Sequence, residues 1–270
     1  MQFPEEGTNA VVGLPPIFKQ FCEFIELRRV RVWPRYRRQT TKLLGPTLTL
    51  VDGRSFFYSY REIFTERIYS FQADNNSPCI IDGGANIGLS VIFFKHAYPN
   101  SRITAFEADP VVFSVLEKNI KTFALDNVAL INKALWNADA QLLFRREGAD
   151  AGRIATEEEN DIEALQVDSI RLSKFLGEET VDFLKLDIEG AEYEVLFECK
   201  DQLHHVQNIF VEYHSFAKKE QKLDEILAVL RSVGFRVQVH TQRVSPQPLL
   251  SRKVLDGMDM QLNIFGFRET

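Results

Sequence analysis

Asp82 closes a short apolar run at 79–81 and is followed by glycines at 83, 84 and 88, then by an apolar helical pattern at Leu89, Ile92 and Phe93. That order predicts a buried parallel strand, a tight loop and a helix N-terminus. Glycine allows backbone conformations that a Cβ forbids and lets a ligand approach the main chain. The free N–H groups at the helix start favour a negatively charged group. A dinucleotide loop reads G-x-G-x-x-G, its middle glycine clearing space for a pyrophosphate, but Ala85 holds that position here and the charge of Asp82 opposes a pyrophosphate. S-adenosylmethionine has no phosphate. It carries an ammonium, a carboxylate, a sulfonium and a ribose diol, and it suits an acidic strand end with the spacing of Asp82, Gly84 and Gly88 better. Glu107 then ends a second strand-like run at 102–106. An acid there is placed to accept both ribose hydroxyls, as in nicotinamide enzymes too.

Further along, Asp187 and Glu189 follow the apolar run 181–186, and Glu212 and His214 lie near the end of the run 208–214. In open α/β sheets the ligand lies beyond the carboxyl ends of the strands. With Asp82 and Glu107 serving the cofactor, the later acids and His214 face the substrate. Methyl transfer needs alignment of donor and acceptor, and an alcohol acceptor must also lose a proton. His214 or Asp187 could take that proton as general base. Alternatively, Asp187 and Glu212 could hold Mg²⁺, which lowers the alcohol's pKa. The metal-free base is the preferred expectation. His214, Asp187 and Glu189 are thus the candidate catalytic residues.

These residues need a scaffold of alternating strands and helices. A helix opens at Pro110, strands follow at 128–132, 181–187 and 208–214, and a helix at 223–233 precedes two last strands at 235–240 and 261–267. The pattern predicts a parallel seven-stranded sheet with helices on both faces and an antiparallel last strand. Residues 134–136 and 141–145 suggest a small antiparallel excursion, 147–164 an exposed acidic insertion that could act as a lid, and 167–176 the entry to a helix. Upstream, Pro15 and Pro16 introduce a helix that runs into Arg28, Arg29, Arg31, Arg35, Arg37 and Arg38. This basic patch reads as a solvated face or as a landing surface for an anionic substrate or carrier. Runs at 47–51 and 54–59 around Asp52-Gly53 predict a hairpin, followed by a helix at 60–70. The boundary falls in the polar stretch 74–78, giving an N-terminal extension over 1–77, for substrate or oligomer contacts, and a cofactor domain over 78–270.

At 270 residues the chain can bury a large core, to which 22 phenylalanines contribute. A net charge of −6 argues against general nucleic-acid binding. Cys22, Cys79 and Cys199 show neither metal spacing nor a disulfide framework, and no run is long enough to span a bilayer, so a cytoplasmic enzyme is expected.

Three stretches carry a family resemblance: 81–88 (Ile-Asp-Gly-Gly-Ala-Asn-Ile-Gly), 105–110 (Ala-Phe-Glu-Ala-Asp-Pro) and 184–192 (Leu-Lys-Leu-Asp-Ile-Glu-Gly-Ala-Glu). With Asn119-Ile120, Lys133-Ala134-Leu135 and 211–214 (Val-Glu-Tyr-His), they resemble the FkbM-type methyltransferases over about 79–240. Gly83 stands where Val is usual and Ala108 where Pro is common. The resemblance implies a Rossmann-like class I fold and S-adenosylmethionine-dependent O-methylation of a sugar, polyketide or other secondary metabolite, free or carrier-bound. Carried onto this sequence, it gives a cofactor set of Asp82, Gly83, Gly84, Ala85, Asn86, Gly88, Glu107, Ala108, Ala134 and Asp187. N-methylation is an alternative. So is a nicotinamide-dependent oxidoreductase, against which Ala85 and the lack of a Tyr-x-x-x-Lys pair argue.

Overall fold

The computed structural model describes residues 16–146, 152–154, 164–177 and 179–268. Its centre is a seven-stranded sheet built from β3 (Cys79–Gly83), β4 (Arg102–Phe106), β5 (Val128–Ile131), β10 (Val181–Leu186), β11 (Val206–Phe216), β12 (Arg236–Arg243) and β13 (Met258–Phe267). The order across the sheet is β12-β13-β11-β10-β3-β4-β5. β3, β4, β5, β10 and β11 run parallel, while β13 pairs antiparallel with both β11 and β12. This is the mostly parallel sheet with an antiparallel last strand that the sequence predicts. The chain builds outward from β3 to β5, then returns to place β10 on the other side of β3. Order reverses between β3 and β10, and in such sheets ligands bind where it reverses.

Helices cover both faces. α3 (Leu89–Ala97) and α4 (Pro110–Thr122) bury Ile92, Phe94, Val115 and Leu116 on one side. α5 (Glu192–Glu198) and α6 (Leu223–Ser232) bury Val195, Leu196, Ile226 and Leu230 on the other. The phenylalanines cross-link the first layer: Phe71 stacks on Phe183 of β10 at 4.8 Å, and Tyr69 meets Phe210 of β11 edge-on at 4.9 Å.

Upstream of the sheet lie α1 (Pro16–Val32), the antiparallel pair β1 (Gln39–Thr41) and β2 (Leu48–Leu50), and α2 (Gly53–Tyr60), which runs into a π-turn over Arg61–Thr65. Val30, Leu48, Leu50, Phe56 and Ile63 share one buried cluster with α3 and α4. The Asn119 side chain of α4 joins the parts with polar contacts. It accepts from the Thr49 N–H at 2.8 Å and donates at 2.9 Å to the carbonyls of Thr49 and Ile87.

Three local expectations are corrected. Asp52-Gly53 is not a hairpin turn: the Asp52 carboxylate caps α2, accepting from Ser55 N at 2.9 Å, and Phe56, Tyr60 and Ile63 recur at helical, not alternating, spacing. The hairpin is the preceding pair, β1 and β2. Residues 167–176 do not enter a helix: β9 (Ala164–Ile170) buries Val167 and Ser169 but exposes Gln166 and Asp168, a period of two, and a 3₁₀ turn follows at Leu172–Phe175. Third, β6 (Ala134–Leu135) and β7 (Gln141–Arg145) do not pair with each other. Each pairs with β9, and β7 pairs also with β8 (Arg153–Ile154). Most of the expected 147–164 insertion lies outside the described residues. Within the basic patch, Arg31 covers the Phe57 ring at 4.8 Å and Arg35 pairs with Asp52 at 2.9 Å. No helix among the described residues is long and apolar enough to cross a membrane.

Candidate active site

A cavity of about 510 Å³ opens at the carboxyl ends of β3, β4 and β10, within the size range of small-ligand pockets. The loop after β3 forms one wall. Gly84 and Ala85 both donate their N–H groups to the Phe106 carbonyl, at 3.0 and 2.8 Å, tying this loop to the end of β4. Gly84 has φ +80°, and a Cβ there would stand 1.8 Å from the Asp187 carbonyl oxygen, because the loops after β3 and β10 touch where the strand order reverses. Asn86 is also left-handed at φ +48°, a conformation asparagine tolerates, and its side-chain oxygen accepts the Ile87 N–H at 2.6 Å.

Glu107 sits at the end of β4. Its carboxylate accepts the N–H groups of Asn86 at 3.0 Å and Asp109 at 2.8 Å. Burial pushes its pKa up to about 7, against the lowering effect of the two N–H donors. Asp109 caps α4 and holds Arg146 at 2.8 Å, fixing the turn after Glu107.

Of the cofactor residues expected from sequence, Gly84, Ala85, Asn86, Glu107, Ala108, Ala134 and Asp187 line the cavity, together with Glu189 and Glu212. Asp82, Gly83 and Gly88 are not among its lining residues. The Asp82 carboxylate has no exposure: the Ser90 hydroxyl donates to it, and the Lys185 ammonium stands 3.2 Å away. Lys185 also donates to the Gly84 carbonyl at 2.8 Å and lies 3.4 Å from Asp187. Burial opposes that ammonium, but Asp82 and Asp187 hold its pKa above the ordinary lysine value.

His214 is buried on β11, outside the first cavity and lining a second of about 330 Å³ whose aromatic walls include Trp136, Tyr193, Tyr213 and Phe216. Glu189 lines both cavities. The His214 Nδ1 lies 2.9 Å from Glu192, and Nε2 lies 3.5 Å from Glu189 and 3.8 Å from Glu212. Burial lowers the imidazole pKa, but these carboxylates together raise it well above the ordinary histidine value. Glu212 is displaced upward by burial and by the charge of Asp187, and the Gln261 amide on β13 donates to it. Glu189 has a left-handed backbone, φ +54°, an uncommon conformation for a residue with a side chain and one found at functional turns.

Sequence reasoning missed Lys185, Glu192 and Gln261. A lysine flanked by Leu184 and Leu186 in a buried strand was the available signal for the first. Glu192 closes the family stretch 184–192, and its type alone assigned it no role. Gln261 reaches the site only through the pairing of β13 with β11, opposite His214.

A family model described as the methyltransferase FkbM domain matches residues 82–237. Methyltransferase 1 of Beauveria bassiana is 28% identical over 216 residues, covering 71% of this chain and 86% of its own length. Methyltransferase sdnD of Sordaria araneosa is 31% identical over 211 residues, covering 62% and 81%. The 31-O-demethyl-FK506 methyltransferase FkbM of Streptomyces tacrolimicus is 27% identical over 228 residues, covering 72% and 86%. The family match runs from the end of β3 into β12 and so takes in all the acidic strand ends around the two cavities; the chain belongs to the FkbM methyltransferase family.

Proposed function

We propose that this chain is an S-adenosylmethionine-dependent O-methyltransferase that acts on a hydroxyl of a small or carrier-borne metabolite. The observation that carries the cofactor reading is the partly buried Glu107 carboxylate, pinned by two backbone N–H groups at the edge of a glycine-turned cavity. A diol can donate two hydrogen bonds to such a group, and Ala85 stands where a pyrophosphate loop would carry its middle glycine. S-adenosylmethionine would supply an electrophilic methyl on a sulfonium. The protein's share is to hold, align and exclude water. Gly84, Ala85 and Asn86 present the loop face, Glu107 takes the ribose hydroxyls, and Ala108 and Ala134 leave room for the base. The reading of O-methylation is supported by the Streptomyces tacrolimicus relative, which is named for an O-demethylated substrate.

The acceptor enters, in this reading, where the two cavities share Glu189. In the protein alone the carboxylates around His214 raise its pKa well above the ordinary histidine value, which favours the protonated ring and weakens it as a general base. Glu189 and Asp187, which both line the first cavity, are the groups that orient the acceptor hydroxyl, and Glu189 receives its proton. This reading prefers the two carboxylates to the metal-free His214 base expected from sequence. Calorimetry tests the cofactor assignment: wild type should bind S-adenosylhomocysteine and not NAD⁺, and Glu107→Ala should weaken that binding by about 1.5–3 kcal/mol, the scale of hydrogen bonds to a charged group. Unchanged affinity in the variant would remove Glu107 from the site.

A further inference from the structure

We propose that Asp187, Glu212 and His214 form a binding site for one divalent metal ion of the Mn²⁺ type at the junction of the two cavities. The inference rests on the methyltransferase reading for its purpose and on geometry for its existence. Asp187 follows β10, and Glu212 and His214 are two residues apart on β11, so their side chains leave the same face of that strand. Leu186 pairs with Val211, which brings Asp187 level with Glu212. One ligand atom from each of the three lies within 4.8 Å of the others. Across an octahedral ion with bonds of about 2.1 Å, opposite ligands stand ~4.2 Å apart, so small side-chain rotations close the set.

The surroundings fit a metal-bound imidazole. Metal-ligating histidines commonly donate the other ring nitrogen to a carboxylate, which fixes ring orientation. Here Glu192 sits 2.9 Å from Nδ1 and is itself anchored by the N–H groups of Ile188 and Gly190, at 3.3 and 3.0 Å, so Nε2 is turned towards Glu189 and Glu212. Charge points the same way. Asp187, Glu189, Glu192 and Glu212 gather four carboxylates about one imidazole, while the nearby Lys185 is shared among Asp82, two backbone carbonyls and, at 3.4 Å, Asp187, so one ammonium faces the whole group. Two carboxylates and one imidazole suit Mn²⁺ better than Mg²⁺, which prefers oxygen ligands throughout.

Asp187 and Glu212 line the first cavity and His214 the second, so the ion would meet both. Its remaining coordination positions could take the acceptor oxygen. The acceptor O–H bond then breaks with its electron pair kept on oxygen, and the proton passes to the Glu189 carboxylate.

The test titrates Mn²⁺ into the full chain without cofactor and follows the electron paramagnetic resonance signal of the free ion. One equivalent should bind, and Glu212→Gln and His214→Gln should each weaken binding at least tenfold. Calorimetry with S-adenosylhomocysteine on the same samples shows whether each variant remains folded and separates the two readings. Failure of wild type to bind Mn²⁺ while it binds S-adenosylhomocysteine would overturn the metal site and spare the cofactor assignment. Mn²⁺ binding that survives unchanged in both variants would also overturn it, because the ion would then lie elsewhere. Bound Mn²⁺ that is lost in the variants, in a protein that ignores S-adenosylhomocysteine, would support the site and refute the S-adenosylmethionine reading proposed for this chain.

Discussion

The loops after β3 and β10 are written in nearly the same terms: an acid at the strand end, glycine within three residues, a left-handed residue, then a helix. They lie side by side on adjacent parallel strands. Their acids nonetheless have opposite fates. Asp82 is fully buried and neutralised by Lys185 and Ser90, so it fastens the sheet to its own loop. Asp187 keeps about a quarter of its side-chain surface exposed and looks into the cavity with Glu189 and Glu212. The deciding factor is the one ammonium between them. Lys185 sits closer to Asp82, contacts it where no water reaches, and leaves the second loop with carboxylates in excess.

The comparison breaks most visibly at Lys185. Lys185→Met strands a buried carboxylate and should cost about 3–5 kcal/mol in urea unfolding, the usual penalty for removing one partner of a buried pair. Adding Asp82→Asn should recover most of it, whereas Asp187→Asn alone should leave stability almost unchanged. A double variant no more stable than Lys185→Met would show that the pairing is not what the lysine provides.

A smaller effect concerns pH. Glu107 has a folded pKa near 7, above its unfolded value, so it destabilises the protein as pH rises from about 4.5 to 7, the reverse of the usual carboxylate. Cofactor capture needs the ionised form to accept two hydroxyls, so affinity for S-adenosylhomocysteine should fall about tenfold per pH unit below 7 and level off above it. Glu107→Gln should flatten that profile in calorimetry. A wild-type profile that is already flat would take the ribose contact away from Glu107.

The mildest change tests the second loop. Glu189→Gly relieves a left-handed backbone but removes a cavity carboxylate, so melting should shift by no more than ~1 kcal/mol while turnover drops at least tenfold. A large loss of stability with normal turnover would make Glu189 a structural residue.

The sheet was legible because its strands are short apolar runs with acids at their ends, and a buried parallel strand can hardly be written otherwise. The loop glycines were legible as turns, but not their reason. Gly84 looked like space for a ligand, and the atom it makes room for is the Asp187 carbonyl, set by strand pairing over a hundred residues away. His214 looked like a base because its type and place suited one. The carboxylates that raise its pKa come from β11 itself, from the loop after β10 and from the start of α5, and no local pattern brings those together. Asp52-Gly53 failed for a different reason: Asp-Gly serves equally as a hairpin turn and as a helix start, and only the spacing of Phe56, Tyr60 and Ile63 separates the two.

The three hydrogen bonds of Asn119 set a rule for recombining this protein with its relatives. One amide reads the backbone of β2 on one side and the backbone of the loop after β3, at Ile87, on the other. A chimera that exchanges residues upstream of β3 must therefore preserve the course of the main chain at Thr49, whatever side chains it imports, or a buried amide is left without partners inside the core. The upstream segment can therefore be exchanged only as a unit that includes this crossing.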